Sequence, residues 1–245
     1  MVLKREKEDL LFLLKEKLYE NAVLDAMILE NSDFKETALI NVRGLDFFAC
    51  PNVFSPKIFN SSEFFLDNIL KYKGNSFLEI GSGTGIISVF AALQGTKRVV
   101  STDINPYAVE NTFRNAAIHG VSSKFTTLQG DVFKPVGKET FDLLFWYAPF
   151  AYVKNDFFSL IKRSIYDLDY QGVESYLRDG KQFLSPQGKM LLGFSSSHGH
   201  IEVIEDLAKK YSWEIKIIDQ TRDYLYCGEI SIELYELTPM GNQSQ

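Results

Sequence analysis

Three acids in this chain stand where an apolar run stops. Glu79 lies inside Phe77-Leu78-Glu79-Ile80-Gly81-Ser82-Gly83-Thr84-Gly85, which continues into Ile86-Ile87-Ser88-Val89-Phe90. Asp103 closes Arg98-Val99-Val100-Ser101-Thr102, and Asp131 follows Phe125 to Leu128 after Gly130. A fourth run, Phe141 to Trp146, ends at Tyr147-Ala148-Pro149-Phe150. An apolar run, alternating glycines and a second apolar run spell a buried strand, a tight turn and a helix start. Glycines let a ligand lie close to the backbone, because no Cβ intervenes. The helix that follows aims free N–H groups at whatever occupies the turn.

The spacing bears on which ligand that is. A dinucleotide fingerprint reads G-x-G-x-x-G, with a pyrophosphate on the helix N-terminus. Here Gly81, Gly83 and Gly85 give G-x-G-x-G, and Glu79 precedes the first glycine by two. That carboxylate repels a pyrophosphate and welcomes a cationic amino group. S-adenosylmethionine (SAM) has no phosphate and carries an ammonium and a sulfonium. Asp103 stands about 20 residues past the glycines, the spacing at which an acid takes ribose hydroxyls through charge-assisted bonds, with Ile104 beside the same ligand. Asp131 suits an adenine amino group, with the Val132 N–H serving a ring nitrogen. A Gly-rich turn without ligand and acids that merely cap helices are the alternatives at each single position; three acids after three consecutive strands favour SAM. Glu79 and the early third glycine disfavour a nicotinamide oxidoreductase.

Those strands need a sheet. Strand and helix alternate after residue 76: helices over Pro106 to Ile118, Glu174 to Phe183 and Ile201 to Tyr211, and strands over Lys189 to Phe194, Glu214 to Ile218 and Ile230 to Leu237, with Ser185 to Gly188 as a turn. Such alternation predicts a doubly wound α/β domain with a mostly parallel sheet, whose ligands bind beyond the carboxyl ends of the strands. Ahead of it, Lys4 to Glu30 reads as helix, with Leu11, Leu14, Leu18 and Ala22 on one face, packed on a neighbour or serving as a lid. Ala38 to Val42, Leu45 to Ala49 and Val53-Phe54 read as short extended runs forming a hairpin. Asn60 to Glu63 reads as the cap of a helix that Gly74 ends. The expected division is an N-terminal helical and hairpin region at 1–60, a SAM-binding domain at 61–240 and a tail at 241–245.

Composition narrows the partners. The 245 residues are 45% hydrophobic and 24% charged, with a net charge of −6. This balance argues against broad, charge-driven nucleic-acid binding. No apolar run approaches a membrane span, and the first residues are charged rather than signal-like. Cys50 and Cys227, far apart, supply neither a disulfide framework nor a zinc site, so a reducing, cytoplasmic setting is expected. His198-Gly199-His200 has no third ligand suitably spaced, so no metal is expected; the pair reads as a solvated turn or as a rim of the acceptor pocket.

The chain resembles the class I SAM methyltransferases, and within them the HemK/PrmC-type branch that methylates protein glutamine. The first motif of that class is E/D-x-G-x-G-x-G. Gly44-Leu45-Asp46-Phe47, Val53-Phe54-Ser55-Pro56 and Ser62-Glu63 are similar to the branch's G-x-x-F, V-x-x-P and T-E elements. Gln171 to Tyr176 and Leu184 to Lys189 are similar to its G-G-x-D-G-L-x-x-Y and L-x-P-G-G segments. The resemblance implies a Rossmann-like seven-stranded sheet with the last strand antiparallel, preceded by a small helical and hairpin appendage. It also exposes a departure. The branch carries Asn-Pro-Pro-Tyr/Phe after the fourth strand, where the Asn side chain and a proline carbonyl grip the target amide. Here the residues are Tyr147-Ala148-Pro149-Phe150, so glutamine does not carry over as the substrate.

Methyl transfer asks chiefly for alignment of acceptor, methyl and sulfur. Tyr147, Pro149 and Phe150 are the expected acceptor residues, Tyr147 orienting the acceptor through its hydroxyl and Phe150 packing on its apolar part. The alternative is that Tyr147 only fills the space left by the asparagine. Asp167 and Asp169, between the fourth strand and the next helix, suit a cationic acceptor or are simply a soluble loop. The acceptor itself is open among protein side chain, RNA base and small molecule. The rival to an enzyme is a SAM-binding module that has lost its acceptor site.

Overall fold

The computed structural model describes Asp25 and residues 35–56, 61–154, 159–225 and 228–241. The long N-terminal helix, the cap at Asn60 and the last four residues of the tail lie outside this set, apart from Asp25. The first elements are the strands β1 (Ala38–Val42) and β2 (Leu45–Ala49), an antiparallel hairpin that pairs Val42 with Leu45. Arg43 and Gly44 turn between them with φ of 52° and 81°. Val53-Phe54 does not extend the hairpin as a third strand. Helix α1 (Ser61–Ile69) follows and stops five residues before Gly74; Leu70 and Lys71 finish it as a turn.

The main sheet is built from β3 (Ser76–Ile80), α2 (Ile86–Leu93), β4 (Arg98–Asp103), α3 (Pro106–Ile118), β5 (Phe125–Gln129) and β6 (Phe141–Tyr147). The segment after β6 carries two short parallel strands, β7 (Ala151–Val153) and β8 (Tyr166–Leu168), before α4 (Gln171–Asp179). The chain closes with β9 (Leu184–Phe194), α5 (Ile201–Lys210), β10 (Trp213–Leu225) and β11 (Gly228–Pro239). Seven strands run in the order β10-β11-β9-β6-β3-β4-β5. β3 to β6 and β9 pair in parallel, and β11 is antiparallel to both of its neighbours. This is the doubly wound, mostly parallel α/β architecture the alternation predicts, with its last strand reversed.

Every residue of β3 is buried, as a central parallel strand covered on both faces requires. Successive residues of β6 show the two layers. Phe145 meets Phe65 of α1, and Trp146 meets Tyr176 of α4. The helices α1, α2 and α3 pack side by side, and α4 packs on α5. Helix α3 begins as its sequence dictates: Pro106 takes the first turn and the Asn105 side chain accepts the Tyr107 N–H at 3.0 Å.

Two buried asparagines of α3 fasten the hairpin to the sheet domain. Asn115 Oδ1 accepts the Phe48 N–H at 2.7 Å and Asn111 Oδ1 accepts that of Cys50 at 2.8 Å. The Asn115 amide also donates to the carbonyl of Thr84, in the glycine turn, at 2.8 Å. Asn105 donates to the Asn52 carbonyl at 2.7 Å. Backbone groups that a hairpin edge would leave unpaired are thereby satisfied, and the loop at Val53 to Pro56 is held over the ends of β3 and β4.

The stretch Ser185 to Gly188, read from sequence as a turn, lies inside β9. A register shift between Phe141 and Leu143 accommodates it, Phe141 pairing with Leu184 and Leu143 with Lys189. Asp142 accepts the Ser185 hydroxyl at 2.9 Å, and a Cβ on Gly188 would stand 2.7 Å from the Phe141 carbonyl oxygen.

Candidate active site

The carboxyl ends of β3, β4 and β6 open into one cavity of about 410 Å³. Its lining includes Glu79, Gly81, Gly83, Asp103, Ile104, Asp131, Val132, Tyr147, Pro149 and Phe150 of the expected cofactor and acceptor residues, but not Gly85. Gly85 stands behind it as the N-cap of α2 with φ 76°. A Cβ there would meet Thr112 at 2.7 Å, so this position excludes other residues by both strain and space. Gly81 has φ 65°, and a Cβ on it would lie 2.9 Å from the indole nitrogen of Trp146. The turn therefore packs closely on Trp146 and Thr112.

Glu79 is 3% exposed. Its carboxylate accepts the Ser88 N–H at 3.2 Å and the Ser88 hydroxyl, which also lies 2.8 Å from Ser101 Oγ. Burial pushes this carboxyl up to about 8, the Ser88 bonds pull against that rise and the charge of Asp103 adds to it. Asp103 accepts the N–H groups of Gly83 at 3.0 Å and Asn105 at 2.9 Å, one from the glycine turn and one from the start of α3. Burial raises it to about 6, against the pull of these backbone donors and of the Ile104 N–H. Asp131 is less enclosed and pairs with Lys134 at 2.6 Å. Val132 beside it holds φ 48°, an uncommon conformation for a β-branched residue, and its carbonyl accepts the Thr102 hydroxyl at 3.2 Å.

A carboxyl raised by burial regains its charge when a cation arrives, so Glu79 suits an ammonium. Asp103, ionised above about pH 6, suits a diol. These donors and acceptors fit SAM.

The acceptor side differs from the expectation in one respect. Tyr147 lines the cavity and is half-buried, yet its hydroxyl oxygen has no accessible surface and no hydrogen-bond partner among the described residues. The part of Tyr147 facing the cavity is its ring, not its hydroxyl. Burial pushes the phenol well above its ordinary value, with Glu233 and Asp223 adding to the rise, so it is no base. The ring lies 4.6 Å from that of Phe65, and a Cβ on Gly193 would touch it at 3.0 Å. Ala148 N–H donates to the Gly193 carbonyl at 3.0 Å, which fixes the turn into Pro149 and Phe150. The Phe150 carbonyl accepts the hydroxyl of Tyr170 at 2.7 Å, and that hydroxyl accepts the His200 N–H at 2.9 Å.

His200 pairs with Glu202 and His198 with the Ser197 hydroxyl, and no group of three metal-ligating side chains occurs among the described residues. Asp167 is not a soluble loop acid: it is 8% exposed and lines the cavity, whereas Asp169 is exposed and accepts the Tyr152 hydroxyl at 2.7 Å. Trp146 and Trp213 belong to the core. Sequence reasoning passed over Phe65, Ser61 and Arg163 as cavity residues; nothing in the local pattern of α1 or of the segment before β8 marks them out. Among the described residues no helix is long and apolar enough to cross a membrane.

A doubly wound sheet with its last strand reversed, carrying a glycine turn and strand-end acids on one rim, defines a class I SAM methyltransferase. The model of the methyltransferase small domain matches residues 44–224, and the chain belongs to that family. A relative from Methanocaldococcus jannaschii, named "Putative protein N5-glutamine methyltransferase", is 29% identical over 204 residues, covering 80% of this chain and 92% of its own. The release factor glutamine methyltransferase of Aquifex aeolicus is 29% identical over 157 residues, covering 60% of this chain and 53% of its own length. Among solved structures, the ribosomal protein L11 methylase of Lactobacillus delbrueckii subsp. bulgaricus superposes with a TM-score of 0.51 at 15% identity, covering 74% of this chain and 79% of that one. SMU.776 complexed with SAH, S-adenosylhomocysteine, superposes with a TM-score of 0.60 at 14% identity, covering 83% and 57%. The protein is a SAM-dependent methyltransferase, and SAM is its cofactor.

Proposed function

We propose that this methyltransferase acts on an acceptor laid against an aromatic wall beside Tyr147 to Phe150, not on an amide gripped by its edge. The observation that carries this reading is the orientation of Tyr147, which gives its ring to the cavity and keeps its hydroxyl enclosed. Phe65, Phe54 and Phe150 extend the wall. Tyr147 stands at the position of the branch's asparagine and carries no amide. SAM supplies a methyl already activated on a sulfonium, so the chain's task is to bind and align. Glu79 is our candidate for the cofactor's ammonium, Asp103 for the ribose hydroxyls, and Asp131 with the Val132 N–H for adenine. Gly81, Gly83, Gly85 and Ile104 shape the surface beneath.

The N-terminal region to residue 60 is our candidate cover for the acceptor. Asp25 supports it: its carboxylate accepts Lys162 Nζ at 2.8 Å and the Tyr166 hydroxyl at 3.2 Å, in the segment that lines the cavity. A cytoplasmic setting fits the free thiol of Cys50.

The test is to incubate the protein with methyl-labelled SAM and cell extract, then digest with protease or nuclease and identify the labelled residue. Label on an acceptor other than glutamine supports the reading. Label recovered as N5-methylglutamine contradicts it.

A further inference from the structure

SAM presents three sets of hydrogen-bond donors: its ammonium, its ribose diol and its adenine amino group. Glu79, Asp103 and Asp131 answer these three, and the same cavity holds a fourth carboxylate, Asp167, that this matching leaves over. Asp167 is held with care. Its Oδ1 accepts the Gly172 N–H at 3.1 Å and its Oδ2 the Val173 N–H at 3.0 Å, both from the first turn of α4. A Cβ on Gly172 would come within 2.9 Å of Asp167 Oδ2 and 3.0 Å of Trp146, so glycine is what lets the helix approach.

The connection between β8 and α4 is strained to make this fit. Asp169 and Tyr170 are consecutive non-glycine residues with φ of 49° and 51°, a sparsely populated backbone conformation for residues with a Cβ. The buried Tyr170 hydroxyl, bonded to the Phe150 carbonyl and the His200 N–H, holds that strain in place. Burial raises Asp167 to about 6, with Asp131 adding to the rise and Arg163 opposing it, so the group is ionised at neutral pH. A carboxylate offers about four lone-pair sites, and the backbone takes two. No other hydrogen-bond donor reaches Asp167 among the described residues, which leaves the remaining two for a ligand in the cavity.

We propose that Asp167 selects the acceptor, taking a charge-assisted hydrogen bond from a protonated amine on a molecule whose apolar body lies along the aromatic wall of Tyr147, Phe65 and Phe150. The amine is a recognition group and not the methylated atom, because a protonated nitrogen has no lone pair with which to attack. Asp167 is thus a specificity residue. The inference rests on the methyltransferase reading of the cavity.

The experiment uses the full chain saturated with SAH and two probes of one shape, 2-phenylethylammonium and 2-phenylethanol, titrated by calorimetry. The wild type is expected to bind the ammonium at least tenfold more tightly than the alcohol. Asp167→Asn should abolish that preference and leave SAH affinity within twofold, and Asp167→Glu should retain the preference. The wild-type comparison needs no variant, so it stands even where Asp167→Asn fails to fold. Equal binding of the two probes by the wild type, or binding of neither, overturns the proposal. So does a tenfold loss of SAH affinity in Asp167→Asn, which would make Asp167 a cofactor residue. Failure of the wild type to bind SAH would instead overturn the cofactor assignment, and this proposal with it.

Discussion

Tyr147→Phe separates the two ways in which this residue can serve the reaction. The hydroxyl is enclosed and has no partner among the described residues. A buried polar group left without a partner costs about 1–3 kcal/mol. Its removal leaves a void of roughly 12 Å³, worth about 0.3 kcal/mol against the variant at about 24 cal/mol per Å³. The variant should therefore be more stable by roughly 0.7–2.7 kcal/mol, raising Tm by about 1–11 °C for a chain of this size. Turnover at saturating SAM should stay within twofold, because the ring remains and only the ring faces the cavity. Tyr147→Leu, which keeps apolar bulk but loses the flat face, should raise the acceptor KM about threefold to tenfold, in line with the worth of an aromatic contact. Scanning calorimetry and labelled-methyl transfer on the acceptor found in extract read both quantities. A Tyr147→Phe chain that melts no higher than the wild type and turns over tenfold more slowly would refute the reasoning and return the hydroxyl to the acceptor.

Other consequences concern the cofactor rim and its scaffold. Cofactor affinity should fall as pH drops below about 8, where Glu79 takes up a proton that an arriving ammonium must displace; calorimetry in two buffers of different ionisation enthalpy should show net proton release near pH 7. Without cofactor the sign for stability is opposite to that of a salt-bridged acid. Glu79 keeps in the folded state a proton that the unfolded chain releases between the ordinary carboxyl range and about 8, so its share of stability should decline as pH rises through that window, at up to about 1.4 kcal/mol per pH unit, and level off above it, with Asp103 and Asp167 steepening the fall below about 6. Gly85→Ala meets both a φ of 76° and Thr112 at 2.7 Å; it should destabilise by more than about 1 kcal/mol in denaturant melts and weaken SAM binding. Tyr170→Phe leaves the Phe150 carbonyl without its donor and should cost about 1–3 kcal/mol in the same melts.

How far the sequence spoke for itself depended on whether a feature was local. Pro106 to Ile118 is helix to the residue, because the Asn105 cap and Pro106 mark its start. The three acids could be placed on one rim because parallel strands bring their carboxyl ends together whatever the packing between them. Ser185 to Gly188 misled, since turn-forming residues were absorbed by a register shift opposite Asp142, a contact between residues more than forty apart. The β7–β8 pair spans only three residues on each side, too short for any periodicity to show. Whether Asp167 faces an acceptor or solvent stayed open in the sequence for a related reason: its burial is set by α4 and Trp146, not by its neighbours in sequence. For Tyr147 the position was legible, but which end of the side chain faces the cavity is decided by Phe65 and Gly193 from other elements.

The central claim is that the acids at the strand ends hold an adenosyl cofactor, and Asp103 is its most exacting test because its carboxylate joins the glycine turn to the start of α3. Calorimetric titration of SAH into the wild type and Asp103→Ala addresses it directly. The wild type should bind, and the variant should bind at least tenfold more weakly, the loss of one or two charge-assisted hydrogen bonds. Equal affinity in the two proteins, or a wild type indifferent to SAH, would contradict the account.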